Sequence, residues 1–324
     1  GGSHYTTEYK LRMDLERANY IAGSCPEERA YFQSEVIPVL QAVLDRVPPL
    51  HELKKSGGLY AFDATDYALG IGDVYNKALH SPAYPELEGG VLNKNFDPED
   101  VQRQWRESSP HIAVVDNILS PEALIKVRGL LLESTVFYQT KMPELYGGYV
   151  GAYIDDGLHH RLLLALAFDL HKALPQLMTG HDLQYLWAYQ YDPQFRGIKI
   201  HADQAAVNVN IWVTPNEANL DHPNGGGLVI FTSTPPDDWD FDQFNSMDKD
   251  QAIDDILRPT GFANVTVPHR ENRAVMFDSA LFHRTDDFNF KKGFTKRRIN
   301  LTLLYGHMRT AAAGGEMSGG GAEL

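Results

Sequence analysis

From Leu183 onward, apolar and polar positions alternate with a period of two, as strands require when successive side chains point to opposite faces. Residues 184–191 are aromatic and rich in β-formers. Residues 207–213 alternate cleanly, with Val207, Val209, Ile211 and Val213 on one face and Asn208, Asn210 and Trp212 on the other. In a barrel or sandwich both faces are buried, and the Asn/Trp face then lines an internal cavity; the alternative is a solvated strand face. Further strands are predicted at 228–231, after the turn Pro223-Asn-Gly-Gly-Gly227, at the apolar run ending in Phe277, and from Arg298. On that last strand Arg298, Asn300 and Thr302 share a face, and Arg297 points the other way with Ile299.

Before residue 183 the spacing is mostly helical. Ser24-Cys25-Pro26-Glu27 reads as a capping box opening an amphipathic run to Val47, kinked or split at Pro38 and ended by Pro48-Pro49. A helix is predicted over 66–80 despite Gly70 and Gly72, and another from the N-cap Asp97 through Arg106. A strand over 111–119 leads to Ser120-Pro121, an N-cap with proline at the first helical position, and a helix to about Glu133. Residues 158–174 form another, ended by Pro175; its His159, His160 and His171 are surface or packing residues. Short strands with Gly/Pro turns behind helices predict a mainly β fold with α: a double-stranded β-helix, or jelly roll, over 109–309. Residues 1–108 are a helical region packed on it, a buttress for the sheet or a partner-binding appendage. The Gly- and Ala-rich 310–324 are a disordered tail.

Composition narrows the partners. A net charge of −14 with no Lys/Arg-rich block excludes a phosphate backbone, so no nucleic-acid substrate is expected. The single cysteine, Cys25, excludes an intrachain disulfide and fits a reducing, cytoplasmic setting. No run of eighteen apolar residues and no signal-peptide pattern occurs, so neither membrane insertion nor export is expected.

The chemistry centres on His201-Ala202-Asp203, where residues two apart on an extended run converge on one point. An imidazole and a carboxylate make two thirds of the two-His-one-carboxylate triad that holds non-haem Fe(II). The second imidazole is His283, after the apolar strand and a short polar turn. A rival, His269-Arg270-Glu271, lies among turn residues and is expected to cap a hairpin. A buried Arg298 on the next strand suits a dicarboxylate, since a guanidinium offers a rigid bidentate fork. One H-x-D means little in a chain of thirteen histidines; the order of four elements on predicted strands carries the assignment.

In that order, from about residue 110 to 308, the chain resembles the Fe(II)/2-oxoglutarate-dependent oxygenases. The resemblance implies the same jelly-roll fold and Fe(II) held by His201, Asp203 and His283, the catalytic centre. It implies 2-oxoglutarate bound through Arg298, with Tyr191, Asn300 and Asn210 beside it, and O2 as co-substrate. Succinate and CO2 leave as a substrate C–H bond is oxidised. Halogenating relatives have a small residue where Asp203 stands, so hydroxylation, desaturation or ring closure is implied. The run Arg298-Ile-Asn-Leu-Thr302 is similar to the R-x-N-x-T stretch of alkylation-repair dioxygenases, read here as cofactor binding only because the chain is acidic. The expected substrate is a small molecule such as an amino acid or related metabolite, contacted by Trp212, Asn208 and Trp239. A protein side chain docked across the helical region is the alternative. A non-catalytic jelly-roll module has no need of all four motif residues. The acidic insertion 232–261, with Trp239 and Phe241, is either a lid or inert.

Overall fold

The structure, a computed structural model, describes residues 4–141, 148–233 and 253–307. Its strands are β1 (Tyr5–Thr6), β2 (Tyr60–Ala61), β3 (Ile112–Asp116), β4 (Gln139–Lys141), β5 (Tyr149–Tyr153), β6 (Leu183–Tyr191), β7 (Val207–Trp212), β8 (Leu228–Phe231), β9 (Asn264–Val267), β10 (Arg273–Asp278), β11 (His283–Thr285) and β12 (Ile299–Tyr305). The helices are α1 (Glu8–Ser24), α2 (Arg29–Tyr31), α3 (Ile37–Leu44), α4 (Ala64–Ala68), α5 (Ile71–Val74), α6 (Pro98–Glu107), α7 (Pro121–Glu133), α8 (Arg161–Ala173) and α9 (Pro175–Met178). None is long and apolar enough to cross a membrane among the described residues.

The molecule is mainly β with helices. A seven-stranded antiparallel sheet runs in the order β3-β10-β7-β12-β6-β5-β4, and a three-stranded sheet in the order β11-β8-β9. β12 is central, and all seven of its residues are buried, as are all six of β7. Burial of both faces explains why polar residues alternate with apolar ones without either set reaching water. One face carries Val207, Val209, Ile211, Leu301, Leu303, Ala274 and Met276, in one apolar cluster with α7 and α8. Deleting such a side chain costs about 2–5 kcal/mol through lost transfer energy plus the cavity left behind. The opposite face meets the smaller sheet, with Trp212, Val275 and Phe277 clustered against Leu228, Ile230 and Val267.

The strands of residues 184–191, 207–213 and 228–231 and the caps Asp97 and Ser120 form as expected. The N-terminal region departs from expectation. Ser24 opens no helix; it ends α1, a 17-residue helix capped by Thr7, whose hydroxyl accepts from Lys10 N at 3.2 Å. The stop is steric: Cys25 precedes Pro26 and is extended. α1 escapes periodicity analysis because it is buried on two sides, Tyr9 and Met13 against the sheet's cluster and Leu11, Ala18 and Ile21 against the other helices. The next run is split at Pro38, which lacks the N–H an α-turn needs; a π-turn over Phe32–Val36 precedes α3. In place of one helix over 66–80 stand two short ones, α4 and α5, broken by Gly70 at φ +98°, and residues 75–80 are not helical.

Charged groups on α1 grip the sheet. Arg17 donates to the Leu131 and Leu132 carbonyls and to Gln190 Oε1. Arg12 pairs with Asp192 at 2.8 Å, and Arg297 pairs with Glu16 at 2.8 Å and Asp192 at 3.3 Å. Arg297 is therefore buried, not solvated as strand alternation suggests, because α1 covers the face it points to. Asp192 follows Tyr191 and Arg297 precedes Arg298, so this ion-pair group anchors the strand ends that carry both residues. Arg297→Ala is expected to lower unfolding stability by roughly 2–3 kcal/mol, less than a wholly orphaned buried charge because Arg12 stays beside Asp192. Urea unfolding measures it; a midpoint within error of the parent contradicts the anchoring role.

Candidate active site

His201 and His283 face each other across an antiparallel bridge, with His201 N donating to His283 O at 3.0 Å and His283 N to His201 O at 2.8 Å. Opposed residues project to the same side, which brings the rings to 4.2 Å between centroids. Two residues on, Asp203 N donates to Ser279 O and Ser279 Oγ donates back to Asp203 O, which aims the carboxylate at both rings. His201 Nε2 lies 3.7 Å from Asp203 Oδ1 and His283 Nε2 lies 3.3 Å from Asp203 Oδ2. The three ligand atoms fall within 4.8 Å of one another.

The histidine tautomers follow from the other ring nitrogens. Nδ1 of His201 lies 2.8 Å from Lys199 O and Nδ1 of His283 lies 3.0 Å from Leu281 O, contacts only a protonated nitrogen can satisfy. In neutral rings both Nε2 lone pairs then point at a carboxylate, an arrangement that a cation between them reconciles. Burial pushes the Asp203 carboxyl up, but His283, His201 and the Asn208 amide outweigh it and hold it below the usual range.

From Asp203 a line of hydrogen bonds crosses the inner face of the sheet. Asn208 Nδ2 donates to Asp203 Oδ2 at 2.7 Å, Asn210 Nδ2 to Asn208 Oδ1, and Asn300 Nδ2 to Asn210 Oδ1 at 2.8 Å. Thr302 Oγ1 joins at Asn210, and Asn300 Oδ1 accepts from Arg298 Nη1 at 3.3 Å and Tyr191 O–H at 3.4 Å. The register makes this possible, since Thr302 pairs with Asn210 and Asn300 with Trp212 across the β7–β12 ladder.

Arg298 is 1% exposed, with its guanidinium 4.5 Å from the centre of the Tyr191 ring. Its acceptors are neutral: Gly226 O at 2.8 Å, Gly227 O at 3.0 Å and Asn300 Oδ1. Burial pulls it below the usual arginine value, and Tyr191 and Asp286 only partly offset that. The glycine turn is thus part of the arginine site. A Cβ at Gly227 would stand 1.9 Å from Val267 O, so no other residue lets this backbone approach.

His269 belongs to this end of the site and caps no hairpin, since β9 and β10 lie in different sheets. It is 1% exposed, 5.9 Å from the Trp212 ring and edge-on to Phe290. The loop carrying it folds against Gly227, whose backbone closeness the turn-forming neighbours of His269 do not reveal. Neither ring nitrogen of His269, nor Trp212 Nε1, has a hydrogen-bond partner among the described residues. His269 and Glu271 are not in the metal-binding group.

Beside Asp203 stands an aromatic wall, of which the sequence points only to Tyr191. Tyr149, Tyr153, Tyr189 and Tyr191 cluster together, and the Tyr153 and Tyr189 hydroxyls lie 2.6 Å apart. Tyr149 and Tyr153 flank Gly151, and a Cβ there would meet the Tyr189 ring at 2.9 Å. The signal was a period-two Tyr-x-Gly-x-Tyr opposite the aromatics of β6. Of the residues assigned to substrate, Asn208 is committed to Asp203 and Trp212 is wholly buried near Arg298; Trp239 lies outside the described residues, as do Phe241 and most of the insertion.

No protein-family model and no curated protein matches the chain. Solved structures similar to it include the non-heme alpha ketoglutarate dependent carbocyclase SnoK from nogalamycin biosynthesis, 12% identical over 68% of this chain and 90% of that one, with a TM-score of 0.46. A Pseudomonas putida prolyl-4-hydroxylase is 15% identical over 65% of this chain and 98% of that one, at 0.43. HygX from Streptomyces hygroscopicus, with nickel, 2-oxoglutarate and hygromycin B bound, is 12% identical over 61% and 84%, at 0.39. At these scores they are distant likenesses.

Buried His269 has a testable consequence. Burial first, then Arg298, His222 and Arg273, lower it from 6.5 to about 3, so the folded chain holds it neutral while the unfolded chain protonates it below 6.5. Its contribution is complete above pH 6.5 and is lost as pH falls towards 3. At pH 5 the loss is about 2 kcal/mol. His269→Leu is expected to flatten the stability-versus-pH curve between pH 4 and 6.5 in urea titrations; an unchanged slope contradicts the buried neutral imidazole.

Proposed function

We propose that the chain is an Fe(II)- and 2-oxoglutarate-dependent dioxygenase of a small molecule, such as an amino acid or related metabolite. On this reading the two facing sheets are a double-stranded β-helix. The reaction is oxidation of an unactivated C–H bond, by hydroxylation in the first instance, with release of succinate and CO2. The observation that carries it is the unbroken line of hydrogen bonds from Asp203 to Arg298, which joins a three-ligand cation site to a buried cation. A binding module has no use for that coupling.

The donor sets fit both groups. Two imidazoles and a carboxylate with converging acceptor atoms suit Fe(II). Around Arg298 the acceptors are neutral and two buried donor-bearing rings lack partners, so an anion fits there and a cation does not. His201, Asp203 and His283 would hold the iron, and Arg298 would pair with the distal carboxylate of 2-oxoglutarate. With 2-oxoglutarate and O2, the iron supplies the oxidising power for C–H cleavage.

The chain's own side chains supply position. Asn208 ties down one Asp203 oxygen, which fixes how the carboxylate faces the rings. Asn300 and Asn210 hold the fork of Arg298 and the Tyr191 hydroxyl in register. Trp212 and Tyr191 keep water from the guanidinium, which strengthens its pairing with a carboxylate. The tyrosine wall offers ring faces and a pair of hydroxyls beside Asp203, surfaces suited to a compact substrate with a polar edge.

Iron-dependent succinate release from 2-oxoglutarate tests the proposal, with metabolite pools screened for acceleration. His201→Ala, Asp203→Ala and His283→Ala are each expected to abolish it. Persistence of turnover in Asp203→Ala, or its absence from the metal-loaded parent with every pool, would sink the reading. Arg298→Ala is expected to keep iron but raise the apparent 2-oxoglutarate constant at least roughly tenfold, a small part of the usual cost of orphaning a buried charged partner. Arg298→Lys rescues only in part, since an ammonium lacks the planar fork. An unchanged 2-oxoglutarate constant in Arg298→Ala would move the co-substrate elsewhere.

A further inference from the structure

Outside the His201 group, three more metal-ligating side chains converge where the N-terminal helices meet the core. Cys25 caps the C-terminus of α1, His80 lies between α5 and α6, and Glu133 is the last residue of α7. One ligand atom from each falls within 4.8 Å of the others. Cys25 is buried and His80 and Glu133 are half-buried, so the group is sheltered and still reachable.

Geometry, second-sphere contacts and helix electrostatics agree on a cation. Cys25 Sγ is 3.7 Å from His80 Nε2. A sulfur and a nitrogen bound to one tetrahedral Zn(II), with bonds of about 2.3 and 2.1 Å, stand roughly 3.5 Å apart. The other ring nitrogen, Nδ1, faces the Glu28 carboxylate at 3.5 Å, the partner that turns an imidazole's Nε2 lone pair towards a metal. Cys25 and Glu133 each sit at a helix C-terminus, where the backbone carries partial negative charge, and neither helix has a basic residue in its last turn. A thiolate and a carboxylate at two negative helix ends would favour a cation between them.

We propose that Cys25, His80 and Glu133 bind a divalent ion of Zn(II) type, with Glu28 orienting His80. Three protein ligands leave one position for water. The ion ties α1 to α7 and to the segment between α5 and α6, and so fastens the helix that grips Asp192 and Arg297.

Cobalt(II) is the probe, because a thiolate ligand gives it a sulfur-to-metal charge-transfer band that the sulfur-free His201 site cannot produce. Cys25 is the only cysteine, so the band has one possible source. The full chain, stripped with a chelator and reloaded with Co(II), is expected to show the band, and Zn(II) to displace it. Cys25→Ser removes the band, and His80→Ala and Glu133→Gln weaken Co(II) binding there at least roughly tenfold, with folding checked by circular dichroism. Asp203→Ala keeps the band, so this site stands or falls apart from the oxygenase reading. No thiolate band in the folded parent, or a band that survives Cys25→Ser, overturns the proposal.

Discussion

A guanidinium with neutral acceptors, sealed inside the sheet, is the constraint around which the inner face is arranged. Arg298 sits at 1% exposure immediately before the central strand. Holding it there requires two backbone carbonyls from a turn that only glycine can form, an asparagine side chain and the face of Tyr191. Desolvating a cation costs several kcal/mol, and dipoles repay only part of that. On the proposed reading, the balance falls to the distal carboxylate of 2-oxoglutarate. The asparagines that orient the arginine also reach Asp203, so the two ends of the site cannot shift independently.

The same constraint explains what the sequence reveals. Alternation along β7 and from Arg298 into β12 puts Asn208, Asn210, Asn300, Thr302 and Arg298 on one side, and all five are buried. Polar residues recurring every second position between apolar ones mean either a wet face or a hydrogen-bonded interior, and the histidines and the arginine in order tip that choice. Other features depend on distant chain segments and leave no local trace. Arg297 looks solvated until α1 is seen to cover it. α1 itself lacks a clean helical stripe because two cores share it, with Lys10 and Arg17 buried in the join. His269 sits among turn residues that suggest a hairpin cap, yet the approach of Gly227 folds its loop inward.

Among the described residues, α1 reaches the strand ends that carry the arginine site through its ion pairs. Glu16 and Arg12 hold Arg297 and Asp192, each next in sequence to a residue of the arginine site. Precision at Arg298 and Tyr191 is therefore set partly by how firmly α1 is seated. The Cys25–His80–Glu133 group lies at the far end of that same helix, so a metal bound there would stiffen a lever whose other contacts reach the sheet.

The most direct test of the central claim is a crystal structure of the chain grown without oxygen, with Mn(II) replacing Fe(II) and with 2-oxoglutarate present. The anomalous signal is expected between His201 Nε2, Asp203 and His283 Nε2, with the distal carboxylate of 2-oxoglutarate paired to the Arg298 guanidinium. A metal bound elsewhere, or a carboxylate held away from Arg298, would contradict it.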